Sequence, residues 1–311
     1  MFDVGGSHIA SGVFGLSSMD LGGSNQILAP VHGNPEEVFE SFSSLAAMSL
    51  GNSIPPHGIA VAIPNPFDYD QGVSYMRHKY QLLYGTDLRE GLSRHLQCEP
   101  QRIHFLNDAA AFLMGELHRG TARGLRRAVG ITLGTGVGSA FAVDGDIVVH
   151  GAGVPSGGEI WNLPYGNGTV EDAVSTRAIQ RMYEQRTGAS AEVHEIASLA
   201  PESSDARKIF DDFGRELGKV LRQACLGFGP DRIILGGGVA RAASLFHRTM
   251  REELGDPSVE VCVSNLFDRA PLIGAGVSWM RQHMAERTAE GTAERTNEGG
   301  AGGSGLRFDR R

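Results

Sequence analysis

The chain is poor in cysteine, in long apolar runs and in basic charge. Three cysteines among 311 residues, Cys98, Cys225 and Cys262, stand far apart. They form neither a CxxC pair nor a disulfide framework, and they read as small buried hydrophobes. No apolar run reaches the roughly 18 residues that a membrane-spanning helix needs. The amino terminus has neither a basic segment nor an apolar core of the signal-peptide kind, so a cytoplasmic protein without a membrane partner is expected. Lys and Arg number 28 against 36 Asp and Glu, a formal charge of −8. That balance argues against broad nucleic-acid binding, which needs a basic face. The eleven histidines supply no HxxxH or HExxH pair, and no metal cage is read from them.

What the chain has in plenty is glycine, 43 residues of it. Hydrophobic residues at 41% and charged residues at 21% are ordinary for a soluble globular protein. The length suits two domains. Much of the glycine sits in three turns. The central one ends the apolar run Gly130–Leu133 in Gly134-Thr135-Gly136-Val137-Gly138. Successive N–H groups in such a turn form an anion nest, and Thr135 adds a hydroxyl. The first turn, Asp3-Val4-Gly5-Gly6-Ser7, sets a carboxylate before two glycines. That suits a Mg²⁺-phosphate site in which Asp3 reaches the ion through water; a plain hairpin with a surface Asp is the blander reading. The third, Gly236-Gly237-Gly238, follows the buried run Arg232–Leu235. A helix is expected to begin at those glycines, which admit a flat or anionic ligand.

Between the turns lie polar candidates. Ile103–Leu106 reads as a strand that delivers Asn107 and Asp108 to the start of a helix. The carboxyl end of a strand in an α/β sheet faces the ligand crevice, although Asn and Asp are also preferred helix caps. Gly58–Ile63 is a buried strand broken by Pro64-Asn65-Pro66, which makes Asn65 and Asp68 candidate contacts. The loop Gly157-Gly158-Glu159-Ile160-Trp161-Asn162 and the helix-like segment opened by Glu171 carry two acids and an amide. Such groups could hold a polyol, or Glu171 could merely favour a helix start. Helices are predicted over 36–50, 87–96, 109–120, 204–224 and 271–284, with strands over 128–133, 139–143, 147–149 and 259–263. From about residue 285 the chain is polar and glycine-rich and reads as a disordered tail.

Taken in order, DVGGSHIASG, FLNDAAAFLMGE, GITLGTGVGSAFAVDG, GGEIWN…GTVED, IILGGGV and PLIGAGV resemble the ROK family of bacterial sugar kinases. The resemblance covers roughly residues 1–285. It implies an α/β, actin-like (ribonuclease H-like) ATPase fold whose two lobes enclose a central cleft. The lobes would be 1–106 and 107–270, with helix 271–285 packed back on the first and a tail from 286 to 311. It places Asp3, Gly5, Gly6 and Ser7 in the first phosphate motif, Gly134, Thr135 and Gly136 in the second, and Gly236, Gly237 and Gly238 at the adenosine. Asp108 falls where the family keeps its catalytic base. Asn65, Asn107, Glu159, Asn162 and Glu171 fall on the sugar side. The implied activity is ATP- and Mg²⁺-dependent phosphorylation of a hexose or hexose derivative, at C6 by likeness to glucose. A homodimer is expected by family analogy.

The chain departs from the family pattern in four places. Asn162 stands where members carry a histidine that serves both sugar and zinc. LPYGNGT replaces the cysteine-rich zinc segment, so no zinc site is expected. Pro64-Asn65 replaces the family's Pro-Gly. Asp3 is only the third residue, which leaves the first strand short, through a start upstream or a trimmed strand. No helix-turn-helix fits before Asp3, which disfavours a DNA-binding repressor. The rival from another class is a non-catalytic sugar sensor on the same fold, favoured by Asn162 and disfavoured by Asp108. An actin-like ATPase without sugar chemistry is a third reading, and Glu159 with Glu171 argues against it.

Overall fold

The computed structural model describes residues 1–30, 32–51, 56–77 and 80–283. The tail expected at 286–311, with Met284 at the end of the last predicted helix, lies outside them.

The chain makes one sheet pattern twice. The first lobe is built from β1 (Phe2–Val4), β2 (His8–Gly15), β3 (Asp20–Leu28), α1 (Pro35–Leu50), β4 (Ile59–Ile63), the small pair β5 (Phe67–Asp68) and β6 (Val73–Ser74), α2 (Leu88–Leu96) and β7 (Ile103–Asn107). Its sheet order is β3-β2-β1-β4-β7. The strands β1, β2 and β3 form an antiparallel meander, and β4 and β7 run parallel to β1. Helix α3 (Asp108–Arg119) leads into β8 (Arg127–Leu133), β9 (Val137–Val143), β10 (Asp146–Val148) and the pair β11 (Pro164–Tyr165) and β12 (Gly168–Thr169). Helices α4 (Val170–Val174), α5 (Thr176–Thr187), α6 (Val193–Leu199) and α7 (Ser204–Cys225) precede β13 (Arg232–Gly236), α8 (Ala243–Leu254) and β14 (Glu260–Val263). The second sheet, β10-β9-β8-β13-β14, repeats the order and the directions of the first.

Alternation along the strands decides what covers each face. In the first sheet Ile59, Val61 and Ile63 point into a core with Phe39, Phe42 and Leu45 of α1 and Leu88 and Leu92 of α2. Ala60 and Ala62 face the other way, towards Ala111 of α3 and Ala275 and Trp279. The last two lie on a final helix, α9, over residues 269–283. In the second sheet Val129, Ile131, Leu133, Ile233 and Leu235 meet Phe213, Leu217, Leu221 and Phe246 of α7 and α8. Ala128, Ala140, Ala142 and Ile234 meet Ala109, Phe112 and Leu113 of α3. Helix α3 therefore sits between the two sheets, fixed to both. Glycine lets α9 reach it at backbone distance: a Cβ on Gly274 would lie 1.8 Å from the Ala111 carbonyl oxygen, and one on Gly115 would lie 2.0 Å from that of Ala270.

Several elements differ from expectation. β3 was not predicted at all. The helix expected to open at Gly236–Gly238 does not: Val239–Ala242 is a 3-10 turn, and α8 begins only at Ala243. Three successive glycines favour no helical nucleus, and Gly237 lies at φ +80°. The segment opened by Glu171 is two helices broken at Ser175, whose backbone is extended. Of the cysteines, Cys225 is buried while Cys98 and Cys262 are half-buried.

Candidate active site

The repeated sheet explains where the polar residues gather. In each lobe the strand at the centre of the sheet ends in a glycine turn: β1 in Gly5-Gly6-Ser7, and β8 in Gly134-Thr135-Gly136. The two turns face each other. A Cβ on Gly6 would stand 2.3 Å from Thr135 Oγ1, so only glycine fits while the turns are this close. The first turn is closed by Gly5 N–H donating to the His8 carbonyl at 2.9 Å. It is held from outside by Tyr80, whose hydroxyl donates to the Gly5 carbonyl at 2.7 Å. Ser7 is exposed, its hydroxyl 2.9 Å from His8 Nδ1. In the second turn Gly134 N–H donates to Gly136 O at 2.9 Å, and Gly134 O accepts from Thr176 N–H at the start of α5. The third turn abuts the strand that carries the second. A Cβ on Gly237 would fall 2.4 Å from the Leu133 carbonyl oxygen, and one on Gly236 would strike the Phe112 ring, whereas Gly238 faces open space.

At the end of β7, Asn107 caps α3, its Oδ1 accepting from Ala110 N–H at 3.0 Å. Asp108 is the first residue of the helix, with Oδ1 2.9 Å from Ala109 N. Asp3, on β1 at the centre of the sheet to which β7 belongs, feels it. Burial, then the charges of Asp108 and Asp268, push the Asp3 carboxyl up to about 8. Asp268, just before α9, was not foreseen, because nothing in its local sequence marks it as a neighbour of a residue some 265 positions earlier.

A second chain of contacts runs from Asn107 across the cleft. Asn107 Nδ2 donates to the Tyr69 hydroxyl at 3.3 Å, and that hydroxyl donates to Asn65 Oδ1 at 2.8 Å. Asn65 Nδ2 donates to Glu159 Oε1, and Trp161 Nε1 donates to Glu159 Oε2 at 2.8 Å. Burial first, with Asp108 and Glu159 nearby, raises the Tyr69 hydroxyl, so it serves as a neutral donor. The loop after β4 thus meets the loop that carries Glu159 through Asn65, and Tyr69 links Asn65 to Asn107. Neither Tyr69 nor Tyr80 was picked from the sequence, since a tyrosine in a loop gives no pattern by which its hydroxyl's partner can be read.

The other candidates are placed as follows. Glu171 accepts from Val137 N–H at 3.1 Å and pairs with Arg177 at 2.7 Å. Its carboxylate therefore braces the second glycine turn, and its own N–H donates to the Trp161 carbonyl at 3.0 Å. Asn162 is exposed beside Trp161. Asp68 spends its carboxylate on a turn, accepting from Asp70 and Gln71 N–H at 3.1 and 2.9 Å. A cavity of about 460 Å³ opens among Asn65, Pro66, Phe67, Asp68, Tyr75, Glu159 and Trp161. Among the described residues no group of three or more His, Cys, Asp or Glu is placed to hold a metal ion. No helix among them is long and apolar enough to cross a membrane.

Two duplicated sheets, a cleft between glycine turns and a strand-end aspartate define an actin-like ATPase fold of two lobes. Residues 2–282 match the ROK family, and the chain belongs to it. Its sequence is 26% identical over 306 residues to a glucokinase of Thermotoga maritima, an alignment spanning 88% of this chain and 94% of the other. It is also 24% identical over 216 residues to the DNA-binding transcriptional repressor Mlc of Escherichia coli, covering 63% of this chain and 52% of that protein. Among solved structures, a ROK family glucokinase from Streptomyces griseus in complex with glucose and AMPPNP superimposes with a TM-score of 0.76. That likeness covers 88% of this chain and 96% of the other at 20% identity.

Proposed function

We propose that this ROK-family protein is an ATP-dependent sugar kinase that phosphorylates a hexose or hexose derivative at C6, with Asp108 as general base. The observation that carries the reading is the position of Asp108. It stands at the carboxyl end of β7, in electrostatic reach of Asp3 and next to Asn107, from which the contact chain through Tyr69 and Asn65 runs to Glu159. A sugar held by Asn107, Asn65 and Glu159 presents a hydroxyl to Asp108, while the paired turns receive the phosphates. The relatives named glucokinase agree with this reading.

The donor set suits magnesium that arrives with the nucleotide. One acid, Asp3 on β1, precedes the Gly5-Gly6 turn, and Mg²⁺ keeps several waters instead of entering an all-protein cage. When bound, the ion supplies charge neutralisation to the phosphate oxygens. The chain's own residues do the rest. Asp108 accepts the proton as the sugar oxygen forms its bond to the γ-phosphorus, the bond from that phosphorus to the β-phosphate oxygen breaks, and ADP leaves. Gly5 and Gly134 N–H close the turns, so the Gly6, Thr135 and Gly136 N–H groups hold phosphate oxygens, and the closing of the cleft excludes water that would compete as acceptor.

The test is sugar-dependent ADP release with Mg-ATP over a panel of hexoses and N-acylated hexosamines. Asp108→Asn is expected to fold and bind sugar yet lose turnover by roughly 10³-fold, the general-base contribution. Near-normal turnover in that variant refutes the base assignment. A non-catalytic sugar sensor is the second reading, favoured by the exposed Asn162. It predicts sugar-induced thermal shifts with no ADP release from the folded wild type.

A further inference from the structure

The cavity of about 460 Å³ beside Glu159 is lined by Asn65, Trp161 and Tyr75 as well, and neither Asn107 nor Asp108 lines it. Tyr75 and Trp161 make part of its lining aromatic. Tyr75 is 47% exposed, and its neighbour Tyr84, outside the lining, is 46% exposed. Their rings meet edge to face at 6.3 Å. Arg77 lies 4.5 Å above the Tyr84 ring and donates to its hydroxyl at 2.6 Å.

Trp161, which also lines the cavity, is held on three sides. Its indole N–H is tied to Glu159, its carbonyl accepts from Glu171, and its ring packs partly on the core of the second lobe. A fixed indole whose single polar atom is already satisfied presents carbon to whatever enters. Exposed aromatic carbon around a polar cavity marks a ligand surface. The faces of a pyranose ring, with their axial C–H groups, are complementary to such a wall.

We infer that the Trp161–Tyr75 cavity is a second sugar subsite, and that the substrate is a hexose bearing another pyranose ring at the end remote from the phosphorylated hydroxyl. The inference rests on the kinase reading above and names the class of sugar for that same site. The first ring lies between Asp108 and Glu159. Glu159 still has acceptor capacity there, because a carboxylate takes about four hydrogen bonds and Asn65 and Trp161 use two. The second ring stacks on the Trp161 indole and meets Tyr75 at the rim.

The experiment measures ADP release with Mg-ATP for free glucose, its methyl glycosides and its 1,4-linked disaccharides, in wild type, Trp161→Ala and Trp161→Phe. The expected result is a kcat/KM about 10-fold higher for a disaccharide than for free glucose, the scale of one aromatic stacking contact. That ratio falls to about one in Trp161→Ala and is partly kept in Trp161→Phe. Tryptophan fluorescence gives a binding readout independent of turnover. The chain has two tryptophans, and Trp279 is buried against the first sheet. A disaccharide-induced shift should therefore vanish in folded Trp161→Phe. Turnover of free glucose with rejection of every disaccharide overturns the subsite and leaves the kinase standing. Equal gains for both sugars in Trp161→Ala also overturn it, because the indole would then be an obstruction. ADP release with no sugar at all overturns both readings.

Discussion

Replacing Gly6 by alanine tests whether the two glycine turns, proposed above to hold phosphate, close on each other. The new Cβ would lie 2.3 Å from Thr135 Oγ1, 3.4 Å from Thr135 Cβ and 3.6 Å from Cγ2. Only the hydroxyl is in severe overlap, so either Thr135 rotates or the turns separate by about 1 Å. Rotation is resisted, because a β-branched side chain has few χ1 choices. It would also re-aim a hydroxyl read here as a phosphate donor. A displacement of about 1 Å at a reacting centre costs roughly 10²-fold in rate. Gly6 is itself exposed, so the loss of folding stability should stay below about 0.5 kcal/mol. The expected result of Gly6→Ala is therefore a kcat reduced about 100-fold with an unchanged urea midpoint. Adding Thr135→Ser, which keeps the hydroxyl and frees its rotation, should recover part of the loss. A kcat within about threefold of wild type in the single variant, where the argument needs about 100-fold, would show that the turns do not work in contact.

Two further expectations concern charge. The Asp3 carboxyl, pushed up to about 8, keeps its proton in the folded chain while the unfolded chain loses its own near pH 4. Its contribution to stability is therefore full below pH 4 and is lost as pH rises towards 8. Asp3→Asn removes that loss. In the nucleotide-free protein its stability relative to wild type should grow between pH 5 and pH 8 by at most about 1.4 kcal/mol per unit; parallel thermal-melt curves would contradict this. Glu116 is fully buried on α3 and accepts from Ser264 Oγ at 2.5 Å, Thr121 N–H at 2.8 Å and Thr121 Oγ1 at 2.9 Å. Glu116→Ala should cost about 3–5 kcal/mol in urea denaturation, with Glu116→Gln losing about half as much. A loss below about 1 kcal/mol would show that the pin between α3 and the loop after β14 is dispensable.

The sequence was most readable where one residue type has one physical use. Glycine runs after apolar strands gave all three turns, and Asn107 was read as able to cap while Asp108 stood beside it. The unread parts are those set by distant partners. β3 was invisible because it is an edge strand with a single buried residue, Leu21, and two glycines in its sequence DLGGSNQIL. Its partner β2, not its own pattern, makes it a strand. Glu171 read equally as a sugar ligand or a helix-start acid; the structure adds a brace on Val137 that neither reading contained. Tyr69, Tyr80 and Asp268 act through groups far away in the chain, and no local spacing announces that.

The contact between α3 and α9 has a mechanical consequence. Because Gly115 and Gly274 bring the two backbones together without intervening side chains, sliding of one helix along the other is blocked, and any swivel about this crossing turns α3 together with the sheets that hold it. Asp108 sits seven residues before Gly115 on the same helix, a lever arm of about 10 Å at 1.5 Å per residue. A swivel of roughly 10° about that point would sweep the carboxylate by roughly 2 Å, the difference between a water-bridged and a direct contact. On the proposed reading of Asp108 as the base, such a swivel would couple proton acceptance to the closing of the cleft.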